Sequence, residues 1–169
     1  MTITQEAGAI TAAAHAQNWA TTLTADVDSA LALYADAFSF DDRADVDHVI
    51  DTAITKAELR PRLAPYANKD RANGSGVHRF EVREVFDVTG DNGRPAVVIL
   101  WTWTGENLES YSGLPVNGAT LTTLGITWHQ LDDAGKITRE TTYWNDTPLL
   151  AELGVPVQTP HYWEADFVF

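Results

Sequence analysis

The chain has 169 residues, 44% of them hydrophobic, no cysteine, and a formal net charge of −13 at pH 7. The length suits one domain with a substantial core, and the charge excludes a nucleic-acid backbone or an anionic membrane as partner, because both recruit Lys and Arg. Lack of cysteine removes disulfides, thiolate metal sites and a Cys nucleophile and fits a cytoplasmic protein; residues 1–19 carry no secretory signal, and no apolar run nears the ~20 residues of a membrane span.

An Ala-rich stretch predicts a first helix from about Ile10 to Trp19. A second starts at Asp26 and Asp28, acidic residues at the positive end of a helix dipole. Val27, Ala30, Leu31 and Tyr34 then follow at i, i+3, i+4 and i+7 on one face. Phe38-Ser39-Phe40 reads as a short strand ending on Asp41 and Asp42. Thr55 and Glu58 have capping-box spacing, and Leu59, Leu63 and Tyr66 continue a helical stripe in which Pro61 predicts a break or a new start.

Beyond the loop NKDRANGSG the pattern changes to strand. His78, Phe80, Val82 and Phe86 alternate with Arg79, Glu81, Arg83 and Asp87, which puts His78 on the apolar side. GDNG, from Gly90 to Gly93, is a hairpin signal. Pro95 to Thr104, PAVVILWTWT, is apolar on both faces, as a central strand should be. Two more long strands are predicted over Ala119–Leu131 and Lys136–Trp144, joined by a DDAG turn. PLLAELG then forms a short helix with Gly154 as its C-cap and Pro156 beyond. Helices first, then antiparallel strands joined by hairpins, give an α+β chain whose helices lie on one side of a bent sheet and enclose a pocket.

Residues 97–154 contain a Trp101-x-Trp103 strand, a Gly-Leu-Pro-x-x-Gly loop (Gly113–Gly118), an Ala-Gly-Lys-Ile hairpin and a closing Leu-x-x-Leu-Gly. In that combination the segment resembles the second half of SnoaL-like proteins. These belong to the nuclear transport factor 2-like superfamily, with the ketosteroid isomerases, scytalone dehydratase and limonene epoxide hydrolase. LALYADAFSFDD, Leu31 to Asp42, is similar to the ketosteroid isomerase stretch that carries the catalytic aspartate. The resemblance implies a single domain over 1–169, with 155–169 as a C-terminal extension. It also implies a cone-shaped, curved mixed or antiparallel sheet packed on N-terminal helices around an apolar cavity, and a homodimer.

By the same resemblance Asp42 falls at the general base, Tyr34 in a hydrogen-bond network and Trp144 on a cavity wall. Thr127 stands where both isomerases and SnoaL cyclases carry a catalytic acid, and Asn18 roughly where the isomerases carry an oxyanion-site tyrosine. Both departures point away from ketosteroid isomerisation and from the SnoaL aldol mechanism.

The residues themselves leave alternatives. Asp41 and Asp42 read as exposed turn residues unless Asp42 enters the cavity, with Asp41 pointing away. His129 shares strand parity with Thr127 and faces the cavity if Thr127 does; otherwise Leu124, Ile126 and Trp128 form the buried face. His78 is a second candidate, against the reading of a hydrogen-bonded core histidine. Glu140 shares parity with Thr142 and Trp144, against a solvated glutamate, and Trp101 and Trp103 are core or cavity wall. His48 with Asp45 and Asp47, or His15, lacks recognised metal-ligand spacing, and no phosphate loop or serine-hydrolase elbow is present.

Together these features predict a cofactor-independent acid–base enzyme, a cyclase, isomerase or dehydratase, acting on a small hydrophobic polyketide- or terpenoid-like molecule. Asp42 would be base or proton shuttle, with His129 or His78 as its acid partner. Tyr34 and Thr127 would orient oxygen atoms, and Trp101, Trp103 and Trp144 would bind rings. A non-catalytic binding or dimeric interaction protein remains an alternative. So does a limonene-type epoxide hydrolase, for which Arg139 has the wrong, outward parity. The aromatic tail PHYWEADFVF is expected to cover the cavity mouth or pack on a partner subunit.

Overall fold

Thr11 starts the first helix: its side chain accepts the Ala14 N–H, and α1 runs from Ala12 to Leu23. The computed structural model describes residues 11–42, 51–69 and 76–156. One face of α1 buries His15, Ala16, Trp19, Ala20 and Leu23, an i, i+1, i+4, i+5, i+8 stripe. Asp26 caps α2 (Val27–Leu31) through the Ser29 N–H. That helix is shorter than predicted. All four residues of its apolar stripe are buried, but Tyr34 opens strand β1 (Tyr34–Asp42) instead of closing a helical turn.

Strand β2 (Asp51–Ile54) pairs antiparallel with β1. The Thr55–Glu58 capping box starts α3 (Lys56–Leu63) as its spacing predicts. Pro61 does not break this helix. The one bond it forfeits, to Ala57, lies on an exposed turn, and the chain tightens into a 3-10 turn at Ala64–Tyr66 only after Leu63.

Four long strands follow: β3 (Val77–Thr89), β4 (Pro95–Glu106), β7 (Leu121–Leu131) and β8 (Ile137–Trp144). A small hairpin, β5 (Ser110–Tyr111) and β6 (Leu114–Pro115), sits between β4 and β7. The main sheet has the order β2-β1-β8-β7-β4-β3, antiparallel except for the parallel β1–β8 pair. Helix α4 (Thr147–Glu152) ends in a Schellman motif: Gly154, at φ +85°, donates to Ala151 O and Val155 to Leu150 O.

Register shifts in β1, β3 and at the β7–β8 pair bend the sheet around α1. The shift between Val82 and Glu84 also resets the alternation of β3. Val85 packs on the core, while Phe86, expected inside, is 47% exposed. On β7 the inward residues are Leu121, Thr123, Thr127 and His129, whereas Leu124 and Ile126 are exposed, which decides the face that sequence parity left open.

Two glycines admit the central tryptophans. A Cβ at Gly125 would stand 2.2 Å from Trp101 Cζ2, and one at Gly105 would stand 2.6 Å from Trp103 Cζ2. The indole of Trp101 thus covers its register partner, Gly125. No helix among the described residues is long and apolar enough to cross a membrane. The Asp45/Asp47/His48 set and the tail from residue 157 lie outside the described residues.

Candidate active site

Between α1, the end of α3 and the inner face of β4 and β8 lies a cleft of about 490 Å³, its open mouth included. Its walls are aromatic: Trp19, Phe40, Tyr66, Phe80, Trp101 and Trp144. Arg62 is the exposed lining residue and marks the open end, with its guanidinium 5.7 Å from the Phe40 ring. Glu140 and Thr142, two residues apart on β8 and therefore on one face, supply the polar floor.

Glu140 is 5% exposed and is the hub of a hydrogen-bond chain. Its Oε2 accepts the Tyr34 hydroxyl at 2.6 Å and lies 2.9 Å from His129 Nε2. Its Oε1 accepts Thr142 Oγ1 at 3.0 Å. Behind it, His129 Nδ1 meets His15 Nε2 at 2.9 Å. On the other side Thr142 Oγ1 lies 2.9 Å from Thr127 Oγ1, which accepts the Trp101 indole N–H at 2.8 Å. Helix α1, β1, β4, β7 and β8 each contribute to this one chain.

Burial opposes the charge of Glu140, but the neighbouring His129 and hydrogen bonds from His129, Tyr34 and Thr142 outweigh it and lower its pKa. Glu140 is therefore an ionised carboxylate at neutral pH. Burial, with the Glu140 charge and hydrogen bond, raises the Tyr34 pKa well above its ordinary value, so its hydroxyl stays a donor. An ionised acceptor at Oε2 places a proton on His129 Nε2. One further proton lies between His129 and His15.

Burial, then repulsion from His129, lowers the His15 pKa from 6.5 to about 4. The folded chain protonates His15 less readily than the unfolded chain does. His15 thus contributes its full stabilisation above pH 6.5 and loses it as pH falls toward 4, about 3 kcal/mol in all. Urea unfolding at pH 7 and pH 4.5 should show this loss in the unmodified protein and a smaller one in His15→Gln.

The structure distributes the sequence-predicted residues unevenly. Glu140, Trp101 and Trp144 line the cleft. Tyr34, Thr127 and His129 stand one bond behind it, each buried and each holding a lining residue. His78 and Trp103 lie apart from it. The Trp103 indole donates to His78 Nδ1 at 3.2 Å, the Asn68 side chain brackets the His78 backbone, and Tyr66 packs on the ring. That is a core histidine, as its strand-end position on an apolar face allowed.

Asp41 is not an exposed turn residue: it is 3% exposed, in the β1–β8 ladder opposite Thr141. Asp42 pairs in register with Thr142, and its side chain lies outside the described residues. Asn18 is exposed on α1, and Arg139 stacks outward on Trp128. Sequence reasoning missed His15, whose partner is 114 residues away, and Arg62. The signal for His15 was its place on the Trp19 face of an amphipathic helix. Among the described residues no group of three or more His, Asp or Glu could hold a metal ion.

No protein-family model matches the chain, and no curated protein does. Solved structures do. A candidate polyketide cyclase from Acidithiobacillus ferrooxidans has a TM-score of 0.64 at 19% identity, over 91% of this chain and 98% of that one. A candidate SnoaL-like polyketide cyclase from Shewanella denitrificans has 0.62 at 16%, over 84% and 96%. The Δ5-3-ketosteroid isomerase of a Mycobacterium species has 0.54 at 23%, over 80% and 94%. With its curved six-stranded mixed sheet around α1, the chain has the nuclear transport factor 2-like fold of the SnoaL-like cyclases and ketosteroid isomerases.

Proposed function

We propose that the chain is a cofactor-independent acid–base enzyme of cyclase, isomerase or dehydratase type. Its substrate is a small, ring-bearing hydrophobic molecule of polyketide- or terpenoid-like character. One observation carries the reading: a carboxylate, Glu140, is buried at the floor of an aromatic cleft and held there by Tyr34, His129 and Thr142. Glu140 is the base, and His129, backed by His15, positions it. Asp42, whose backbone pairs with Thr142, is the second proton-transfer group.

Cyclic β-hydroxy ketones, followed by NMR in D2O for loss of water or uptake of deuterium at carbon, supply the test. The unmodified protein is expected to accelerate one of the two, and Glu140→Gln to lose that acceleration by at least about a hundredfold while still folded. Full activity in Glu140→Gln would remove Glu140 from the chemistry.

One observation favours a second reading, a non-catalytic binding protein. Three donors already hold Glu140 and lower its pKa, which weakens it as a base. Saturable binding with no turnover across the panel would select that reading.

For the assembly we propose a homodimer through the outer face of the sheet. Phe86, Leu124, Ile126 and Tyr143 are 40–54% exposed there, on β3, β7 and β8, and a twofold contact sets such a patch against its own copy. Sedimentation velocity should give a dimer for the unmodified protein and a monomer for the double variant Leu124→Lys, Ile126→Lys. A wild-type monomer would rule the contact out.

A further inference from the structure

Three tryptophans stand together at the inner face of the sheet: Trp101 and Trp103 on β4, and Trp144 at the end of β8. The fold supplies an acceptor for two of their N–H groups. Trp101 donates to Thr127 Oγ1 at 2.8 Å and Trp103 to His78 Nδ1 at 3.2 Å, and both residues are 1% exposed. The Trp144 N–H is also buried, but it has no hydrogen-bond partner among the described residues. Trp101 and Trp103 stand edge-on to it, at 6.2 and 6.3 Å between centroids, and a ring is a weak acceptor beside an oxygen. An indole N–H can only donate, so only an acceptor offsets the cost of keeping it from water.

Trp144 lines the cleft with Glu140 and Thr142, and the three share one face of β8. No hydrogen bond fixes its indole, and the ring is only partly buried. The residue also closes its strand, with exposed Asn145 following. A tilt of this ring breaks no hydrogen bond, whereas a tilt of Trp101 or Trp103 would break one. Trp144 is therefore the wall that can turn its N–H toward an occupant. The acceptor that meets it must be neutral. Glu140 is ionised on the same strand face and opposes a second anionic oxygen inside a low-dielectric cleft. A carbonyl oxygen accepts from the indole and carries no charge.

We infer that Trp144 is the carbonyl-binding residue of the cleft: its indole tilts on binding and gives its N–H to the ketone, enone or lactone oxygen of a ring-bearing ligand. The carbonyl then lies on the sheet side, along the strand face that carries Glu140. This inference takes the cleft as the ligand site, as in the reading above, but requires no turnover.

Two ligands on one skeleton test it: 2-tetralone and the hydrocarbon tetralin, titrated into the full chain at pH 7. In unmodified protein labelled with 15N at tryptophan, the Trp144 indole signal is assigned through its contacts with the rings of Trp101 and Trp103. The ketone should move this signal to lower field, and the hydrocarbon should move it far less. In Trp144→Phe, which keeps a ring in the wall, the ratio of ketone to hydrocarbon affinity should fall about fivefold, and taking a ratio cancels the apolar contact that both ligands lose. The labelled protein gives its answer whether or not the variant folds. Equal movement with both ligands, no saturable binding of the ketone at millimolar concentration, or an unchanged ratio in a folded Trp144→Phe would overturn the inference. So would a bound ketone that leaves Trp144 unmoved, which would place the carbonyl on the helical side of the cleft. A Trp144 shift without deuterium uptake beside the carbonyl leaves the inference standing and removes the enzymatic reading. Glu140-dependent uptake with Trp144 unmoved does the reverse.

Discussion

Replacing Gly125 by valine is expected to destabilise the fold by about 3 kcal/mol or more, one of the largest losses available to a single substitution here. A Cβ at this position would lie 2.2 Å from Cζ2 and 2.3 Å from Cη2 of Trp101, well inside any permitted contact. The strand has no freedom to retreat, because Gly125 is paired with Trp101 on one side and Trp144 on the other. The indole must move instead. Trp101 is 1% exposed, packs edge-on against Phe80 and Trp144, and gives its N–H to Thr127. Displacing it opens a cavity and breaks the far end of the Glu140 chain at once. Urea unfolding would measure the loss, and near-UV circular dichroism would report the altered tryptophan packing. A change below about 1 kcal/mol would mean that the ring finds another seat.

Glu140→Leu is the second large effect, expected at about 3–5 kcal/mol. The leucine removes the acceptor for Tyr34 O–H, His129 Nε2–H and Thr142 O–H, and the first two, on side chains 2% and 0% exposed, lie too deep to turn to water. Glu140→Gln should cost less, since its amide oxygen keeps part of the pairing. The origin of the loss can be isolated by a double-mutant cycle. Tyr34→Phe alone removes a donor to a charged acceptor and should cost about 1.5–3 kcal/mol, but in the Glu140→Leu background it should cost little or become favourable. Additive losses would show that Tyr34 and Glu140 are not coupled and that the 2.6 Å bond contributes little.

These losses also explain what could be read before the structure. Period-two alternation placed Glu140 on the face of Thr142 and Trp144, and Thr127 on the face of His129, because the β7–β8 register holds from Gly125 to Gln130. Alternation failed where a strand gains a residue. Phe86 sits beyond the shift at Val82/Glu84, and a bulge leaves no mark in apolar periodicity. The stripe Val27, Ala30, Leu31, Tyr34 was correct as a list of buried residues and wrong as a helix. Tyr34 is buried from a strand because its hydroxyl reaches Glu140, 106 residues away.

Pairings across such distances are what one chain hides. His15 carried no sign of its partner, and Arg62, on a helix whose stripe ran through Leu59 and Leu63, gave no reason to expect it in a cleft. The capping box at Thr55 and the Gly154 terminus, by contrast, were legible because each is satisfied within a few residues.

The direct test is the ionisation of Glu140, read by 13C NMR of the labelled side-chain carboxyl from pH 8 downward. The account predicts a carboxylate at neutral pH that protonates below the ordinary 4.5 of a glutamate, because His129, Tyr34 and Thr142 hold the charge. A carboxyl already protonated at pH 7 would mean that burial prevails over those partners. Glu140 would then donate a hydrogen bond to the cleft, and its role as base would be contradicted.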